Sequence, residues 1–219
     1  MHKIIQNLIN IQKEIKSNLD NSKLVKVPKI IAVSKTFTID KINPLIEYGH
    51  LYFGENKVQE AIDKWTNIKS INKKINLHLI GSLQTNKVKF AVKLFDYIHS
   101  VDSEKLAKKI FDEQEKQNKK IKIFIQVNIG NENQKSGVSK LSLPSLYSYC
   151  KSLNLNVIGL MCIPPLDKSA NIYFKELNKL NKNLGLSELS MGMSSDYLDA
   201  TLNSATYLRI GSKIFGKRS

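Results

Sequence analysis

Short apolar runs and amphipathic stretches alternate from one end of this chain to the other. Eight runs read as strands: KIIAVSK (29–35), HLYFGEN (50–56), NLHLIGS (76–82), DYIHSVD (96–102), IKIFIQVN (121–128), NVIGLMCI (156–163), ELSMG (188–192) and YLRIG (207–211). Several are apolar almost without a break, the pattern of parallel strands covered by helices. Between them lie stretches of helical period. Residues 40–48 carry Ile42, Leu45 and Ile46, and residues 103–117 carry Leu106, Ala107, Ile110 and Phe111, with Asp102 or Ser103 as the expected N-cap. Residues 143–153, 170–184 and 195–204 complete the set, and 8–19 forms an opening helix before the first strand.

The strand runs recur every 19 to 35 residues, the length of one β/α unit. Eight such units in 219 residues fit a closed α/β barrel of the (β/α)8 type better than an open doubly wound sheet. The expected organisation is one domain over residues 1–219, with residues 1–22 as a helix packed on the barrel. Polar residues gather where the strands end: Ser34 and Lys35, Glu55 and Asn56, Ser82, Asp102, Asn128, and 192–195. In such a barrel that is the face where chemistry happens.

Composition narrows the function classes. Hydrophobic residues make up 42% and charged residues 24%, which is globular and far from disordered. No apolar run is long enough to span a bilayer, and the N-terminus mixes charge through its apolar pattern, unlike a signal peptide. Cys150 and Cys162 lie outside any CxxC spacing, which argues against a zinc ribbon or a disulfide scaffold. A cytoplasmic, monomeric protein without a membrane partner is expected. The net charge of +15 raises the question of nucleic acid. Yet Arg209 and Arg218 are the only arginines among 34 basic residues, and the lysines are scattered. Without guanidinium forks to read phosphates and base edges, a solvated lysine-rich surface explains the charge better than a specific nucleic-acid role. The same bias singles out Arg209, an arginine kept inside an apolar strand.

Three constellations could carry chemistry. Lys35 follows Ile30-Ile31-Ala32-Val33 at the end of the first strand, where a desolvated amine could attack an aldehyde; a solvent-facing lysine is the plain alternative. Ser190 to Asp196 holds Gly192, suited to a tight turn, and Ser194, Ser195 and Asp196, all N-cap types. The first free N–H groups of the helix they open would make an anion site, and an ordinary helix cap is the alternative. Leu208 to Ser212 places Gly211 and Ser212 after the eighth strand, where barrels of this class hold phosphate together with the loop after the seventh. Neither loop reads GxxxxGK[ST], and neither HExxH nor GxSxG occurs in the chain. His78 and His99 lie inside strand runs, where satisfied core or rim histidines are the commoner outcome. Residues 128–137 read as a polar loop at the rim.

Taken in order, AVSK (32–35), FGEN (53–56), HLIGSLQTNK (78–87), HSVD (99–102), QVNIGNENQKSG (126–137), GLMCIP (159–164), LSMGMSSD (189–196) and RIGSKIFG (209–216) resemble the pyridoxal phosphate homeostasis family, also called YggS/PROSC. The resemblance covers nearly the whole chain. It implies a single barrel like the N-terminal domain of alanine racemase (fold type III), binding pyridoxal 5′-phosphate, the vitamin B6 cofactor. By matching positions it implies Lys35 as the Schiff-base lysine. Ser194, Gly211 and Ser212 become the phosphate cradle, Arg209 the residue at the pyridine nitrogen, and Asn56, His78 and Met191 pocket neighbours. Two departures, Ser82 where proline is frequent and Leu77 where tryptophan is frequent, touch none of these contacts.

The expected arrangement puts Lys35 at one rim, the cradle at the opposite rim and Arg209 between them. A carboxylate at the ring nitrogen keeps that nitrogen protonated and the ring electron-withdrawing. An arginine can only donate, so the nitrogen stays unprotonated and carbanion chemistry is discouraged. The family resemblance therefore implies a carrier that buffers or delivers the cofactor, with apo-enzymes as possible recipients and no substantial turnover. A small amino-acid racemase using the same site is the alternative, and a nucleic-acid-binding module is a third.

Overall fold

The computed structural model describes residues 2–22, 26–132, 134–165 and 169–216. All eight predicted strands form: β1 (Lys29–Val33), β2 (Tyr52–Glu55), β3 (Asn76–Leu79), β4 (Tyr97–Val101), β5 (Lys122–Gln126), β6 (Val157–Met161), β7 (Glu188–Ser190) and β8 (Tyr207–Ile210). Each pairs in parallel with its neighbour, and β8 returns to β1, giving a closed barrel in sequence order. Helices α1 (Lys3–Ser22), α2 (Ile39–Glu47), α3 (Val58–Ile71), α4 (Val88–Leu94), α5 (Glu104–Gln117), α6 (Leu143–Ser152), α7 (Ala170–Asn183), α8 (Tyr197–Leu202) and α9 (Ser212–Phe215) surround it. This is the (β/α)8 architecture expected from the spacing of the runs.

Helix α3 was not among the predicted stretches, although Val58, Ala61 and Trp65 give it a buried stripe at helical spacing. Helices α4 and α9 span only seven and four residues, too few turns for a periodic signal. At α5 the cap is Ser103, whose hydroxyl accepts the Leu106 N–H at 3.4 Å.

Two apolar layers hold the molecule together. The larger lies between the strands and the helices and includes Trp65, Phe53, Phe95 and Phe174, all fully buried. The smaller fills the barrel with Ile31, Tyr97, Phe124, Met161 and Tyr207. At the amino end of the strands, Lys29 and Lys122 lie over these tyrosine rings and donate to the hydroxyls of Tyr207 and Tyr97, at 3.2 and 3.0 Å. Large aromatic rings thus plug that end, so the carboxyl end of the strands is left to carry the site.

Helix α1 buries Ile4, Leu8, Ile11, Ile15 and Leu19, one apolar stripe. It packs against α8 and α9, the two helices that follow the last strands. Asn7 Nδ2 donates to the Ile214 carbonyl at 2.8 Å and Asn18 Nδ2 to the Leu198 carbonyl at 3.0 Å.

Candidate functional site

Strand β1 delivers Lys35 to the carboxyl-end face, half-buried in a turn completed by Thr36 at φ +68°. The ground behind it is tied down by a buried carboxylate. Glu55 Oε1 accepts from Ser34 Oγ at 2.7 Å, from Trp65 Nε1 at 2.9 Å and from Lys64 Nζ at 3.0 Å. Lys64 Nζ also donates to the Ser34 carbonyl at 3.0 Å, so one ammonium joins the ends of β1 and β2. Asn56, next along, is half-buried, and its buried Oδ1 finds no hydrogen-bond donor among the described residues.

The loop after β7 differs from its expected form. Gly192 turns at φ +87°, and a Cβ there would stand 2.5 Å from that of Ala200, so only glycine fits. Met191 before it is fully buried. Asp196 is the N-cap of α8, but its carboxylate makes no cap bond; it turns back to accept the Met193 N–H at 2.5 Å. The first N–H groups of α8 are therefore left without a side-chain cap from Asp196. Further donors converge after β8, where Ser194 Oγ accepts the backbone N–H groups of Gly211 and Lys213, each at 3.3 Å. Two N–H groups meeting at one oxygen form a nest that suits an anionic oxygen. Ser212, opening α9, is exposed beside it.

This nest adjoins the end of β1, two residues before Lys35. Ala32 pairs with Ile210, and a Cβ on Gly211 would stand 3.3 Å from the Val33 carbonyl. The expectation of opposite rims is corrected: closure of the barrel makes β1 and β8 neighbours, so the lysine and the nest share one side.

Arg209 is buried. Nη1 donates to Ser190 Oγ at 2.7 Å and Nη2 to the Cys162 carbonyl at 2.8 Å. Ser190 Oγ is also 2.8 Å from His99 Nδ1, and His99 Nε2 is 2.9 Å from His78 Nδ1. The His78 ring stacks on Tyr97 and the His99 ring on Phe124, with centroids 4.1 and 4.3 Å apart. His78 therefore lies in the barrel interior, reaching Arg209 only through His99 and Ser190, and is not placed as a direct pocket ligand. Burial, followed by the positive charges of Lys29, Lys69 and Lys122, holds the His78 pKa well below the usual imidazole range. Burial, His78 and Arg209 do the same to His99. Burial pushes the Cys162 thiol up to about 12, so it is no nucleophile at neutral pH.

The sequence placed Glu55 at a strand end, Ser190 in a polar loop and His99 inside a strand, but gave none of them, nor Cys162, a role beside Lys35 or Arg209. The alternation within β4 could have revealed His99, because Tyr97 and His99 share one strand face. Residues 128–132 and 134–137 fold back over the end of β5 as parts of a rim loop: Asn128 Nδ2 donates to the Glu132 carbonyl at 2.8 Å, and Gln126 Nε2 to the Ser136 carbonyl at 3.0 Å. No group of three metal-ligating side chains occurs among the described residues.

Residues 7–219 match the family model of the alanine racemase N-terminal domain. The pyridoxal phosphate homeostasis protein of Aquifex aeolicus is 38% identical over 200 residues, covering 87% of each chain. That of Pasteurella multocida is 33% identical over 98% of this chain and 97% of its own. Among solved structures, PipY of Synechococcus elongatus with pyridoxal phosphate bound superposes with a TM-score of 0.80 at 32% identity, covering 92% of this chain and all of that one. The form without the cofactor gives 0.82 at 33% identity, with the same coverage. Alanine racemase of Clostridium difficile shares the fold, with a TM-score of 0.71 at 15% identity over 94% of this chain and 57% of that one. The chain thus belongs to the alanine racemase N-terminal-domain family, among its pyridoxal phosphate homeostasis proteins.

Proposed function

We propose that this protein binds pyridoxal 5′-phosphate and buffers or delivers it to apo-enzymes, without substantial turnover of its own. The observation that carries the proposal is the fixed guanidinium of Arg209, on the strand that leads directly into the Gly211 nest beside Lys35. The residues fit the cofactor. The Gly211 and Lys213 N–H groups, with the hydroxyls of Ser194 and Ser212, match a phosphate. Lys35 offers the amine, while Asn56 Oδ1 and Met191 border the same strand ends.

The bound cofactor would supply an aldehyde carbon for that amine and a conjugated ring able to drain electrons from an attached carbon. The protein's part is to hold one and restrain the other. Lys35 would hold the aldehyde end, the nest would hold the phosphate, and Arg209 would face the ring nitrogen as a donor that keeps its proton. A ring held in this way is a weak electron sink, which suits storage and transfer. Residues 1–219 act in this proposal as one cytoplasmic, monomeric domain, with α1 bracing the loops of the site. No described helix is long and apolar enough to cross a membrane.

The test is the visible spectrum of the protein mixed with pyridoxal phosphate. A yellow adduct is expected, trapped by borohydride on Lys35 and lost in Lys35→Ala. A full spectrum in that variant would overturn the assignment. Solvent deuterium exchange at Cα, measured over a panel of amino acids, distinguishes the carrier from the racemase; robust exchange would overturn the carrier.

A further inference from the structure

The interior of the barrel holds a line of polar groups that runs inward from Arg209 through Ser190 and His99 to His78. Each link is a buried hydrogen bond: 2.7 Å from Nη1 to Ser190 Oγ, 2.8 Å from Oγ to His99 Nδ1, and 2.9 Å from His99 Nε2 to His78 Nδ1. A guanidinium has donors and no acceptor, so the first link has one possible sense. The other two can be decided by counting what each sense leaves unpaired.

Suppose the links run away from Arg209. Ser190 then accepts from the guanidinium and gives its hydroxyl proton to His99 Nδ1. His99 carries its proton on Nε2 and donates to His78 Nδ1. His78 carries its own on Nε2, the one buried atom of the line without a hydrogen-bond partner among the described residues. The count is one orphan, an N–H among the rings of Tyr52, Tyr97 and Tyr207, whose centroids lie 6.0, 4.1 and 5.6 Å from that of His78. Suppose instead that His78 donates to His99 and His99 to Ser190. Ser190 then accepts twice, and its hydroxyl proton has no acceptor in the line. His78 Nε2 becomes a bare buried acceptor as well. That is two orphans, and the first sense wins.

We propose that Ser190, His99 and His78 are positioning residues whose hydrogen bonds all point away from Arg209, so that the barrel interior orients the guanidinium and has no proton to return to the ligand it faces. The proposal rests on the placement of Arg209 at the ring nitrogen given above. It adds the reason that nitrogen stays bare: the Ser190 proton is committed to His99, and the His99 proton to His78. The device is one of polarity and needs no movement.

The test begins on the ligand-free protein at pH 7, by nitrogen-detected NMR of the imidazoles. Both His99 and His78 are expected as neutral rings with the proton on Nε2. A proton on His99 Nδ1, or a charged His99, overturns the proposal. The second arm compares two variants loaded with pyridoxal phosphate. His99→Phe keeps the stacking on Phe124 but offers Ser190 no acceptor, and is expected to weaken cofactor affinity about tenfold and shift the visible band. His99→Gln keeps one acceptor and one donor and should stay within about twofold of the parent. Equal behaviour of the two variants, whether both unchanged or both impaired, overturns the directional claim. Should the parent bind no pyridoxal phosphate at all, the functional reading above fails, while the imidazole spectra still decide the line itself.

Discussion

A buried carboxylate stands behind the strand end that carries Lys35. Glu55 is fully buried and its Oε1 takes three hydrogen bonds, one of them from the nearly buried ammonium of Lys64. Breaking such a pair leaves an uncompensated charge in the interior, so Lys64→Met should cost about 3 to 5 kcal/mol. Urea unfolding checks this, and a loss below about 1 kcal/mol would mean that Glu55 finds its compensation elsewhere. The same substitution removes the donor to the Ser34 carbonyl, one residue before Lys35, so weaker cofactor retention should accompany it. Lys35 and Arg209 were legible in the sequence because each breaks a local rule, a lysine closing an apolar run and an arginine in a chain nearly emptied of them. Glu55 and Ser190 break none. Their roles come from partners 10 and 19 residues away, Trp65 and Arg209, which only the folded barrel brings together.

Helix α1 shows how an element outside the barrel bears on the site. Its apolar stripe packs on α8 and α9, and its Asn7 holds the carboxyl-end carbonyl of Ile214 in α9. Glu14 adds an ion pair to Lys213 at 2.8 Å and accepts from the Tyr197 hydroxyl. Lys213 supplies one of the two N–H groups of the nest, so the helix braces the loop that would hold the phosphate. Leu8 is fully buried in this stripe. Leu8→Ala should cost about 2 to 5 kcal/mol by opening a cavity, and should weaken cofactor binding more than it disturbs the barrel strands. Hydrogen exchange resolves the two effects: faster exchange is expected in α1, α8 and α9, with β3 to β6 unchanged below global unfolding. Uniform loss of protection would show that α1 supports the whole molecule and not this corner. Element identity was legible in most segments that ran two turns or more with an apolar stripe; α3, whose stripe is Val58, Ala61 and Trp65, is the exception. At the start of α8 the cap position was legible, since Asp196 stands there, but the bonding was not: Ser194 accepts from Gly211 and Lys213, and Asp196 accepts from Met193.

At the scale of the whole molecule, a polar column in the barrel interior ties stability to pH. The charge of +15 is spread over lysines and said little about function, while the eight-fold alternation gave the architecture. Strand position marked His78 and His99 as core or rim residues, but not that they bond to each other and, through Ser190, to a guanidinium. Both are neutral when folded, with pKa values held well below the usual range by burial first. The unfolded chain takes up protons on them near pH 6.5, and the folded barrel does not. Below that value the unfolded state therefore binds more protons, and stability falls as pH falls; above it their contribution is complete. Together the two should remove about 3 kcal/mol between pH 7.5 and pH 5.5. His50, pushed down to about 4 chiefly by burial, acts in the same direction. Urea midpoints measured across that range should show this decline, and His99→Phe should remove the share that belongs to one ring. A profile flat down to pH 5.5 would mean that the interior accepts protons while folded, which a column ending in a fixed cation should forbid.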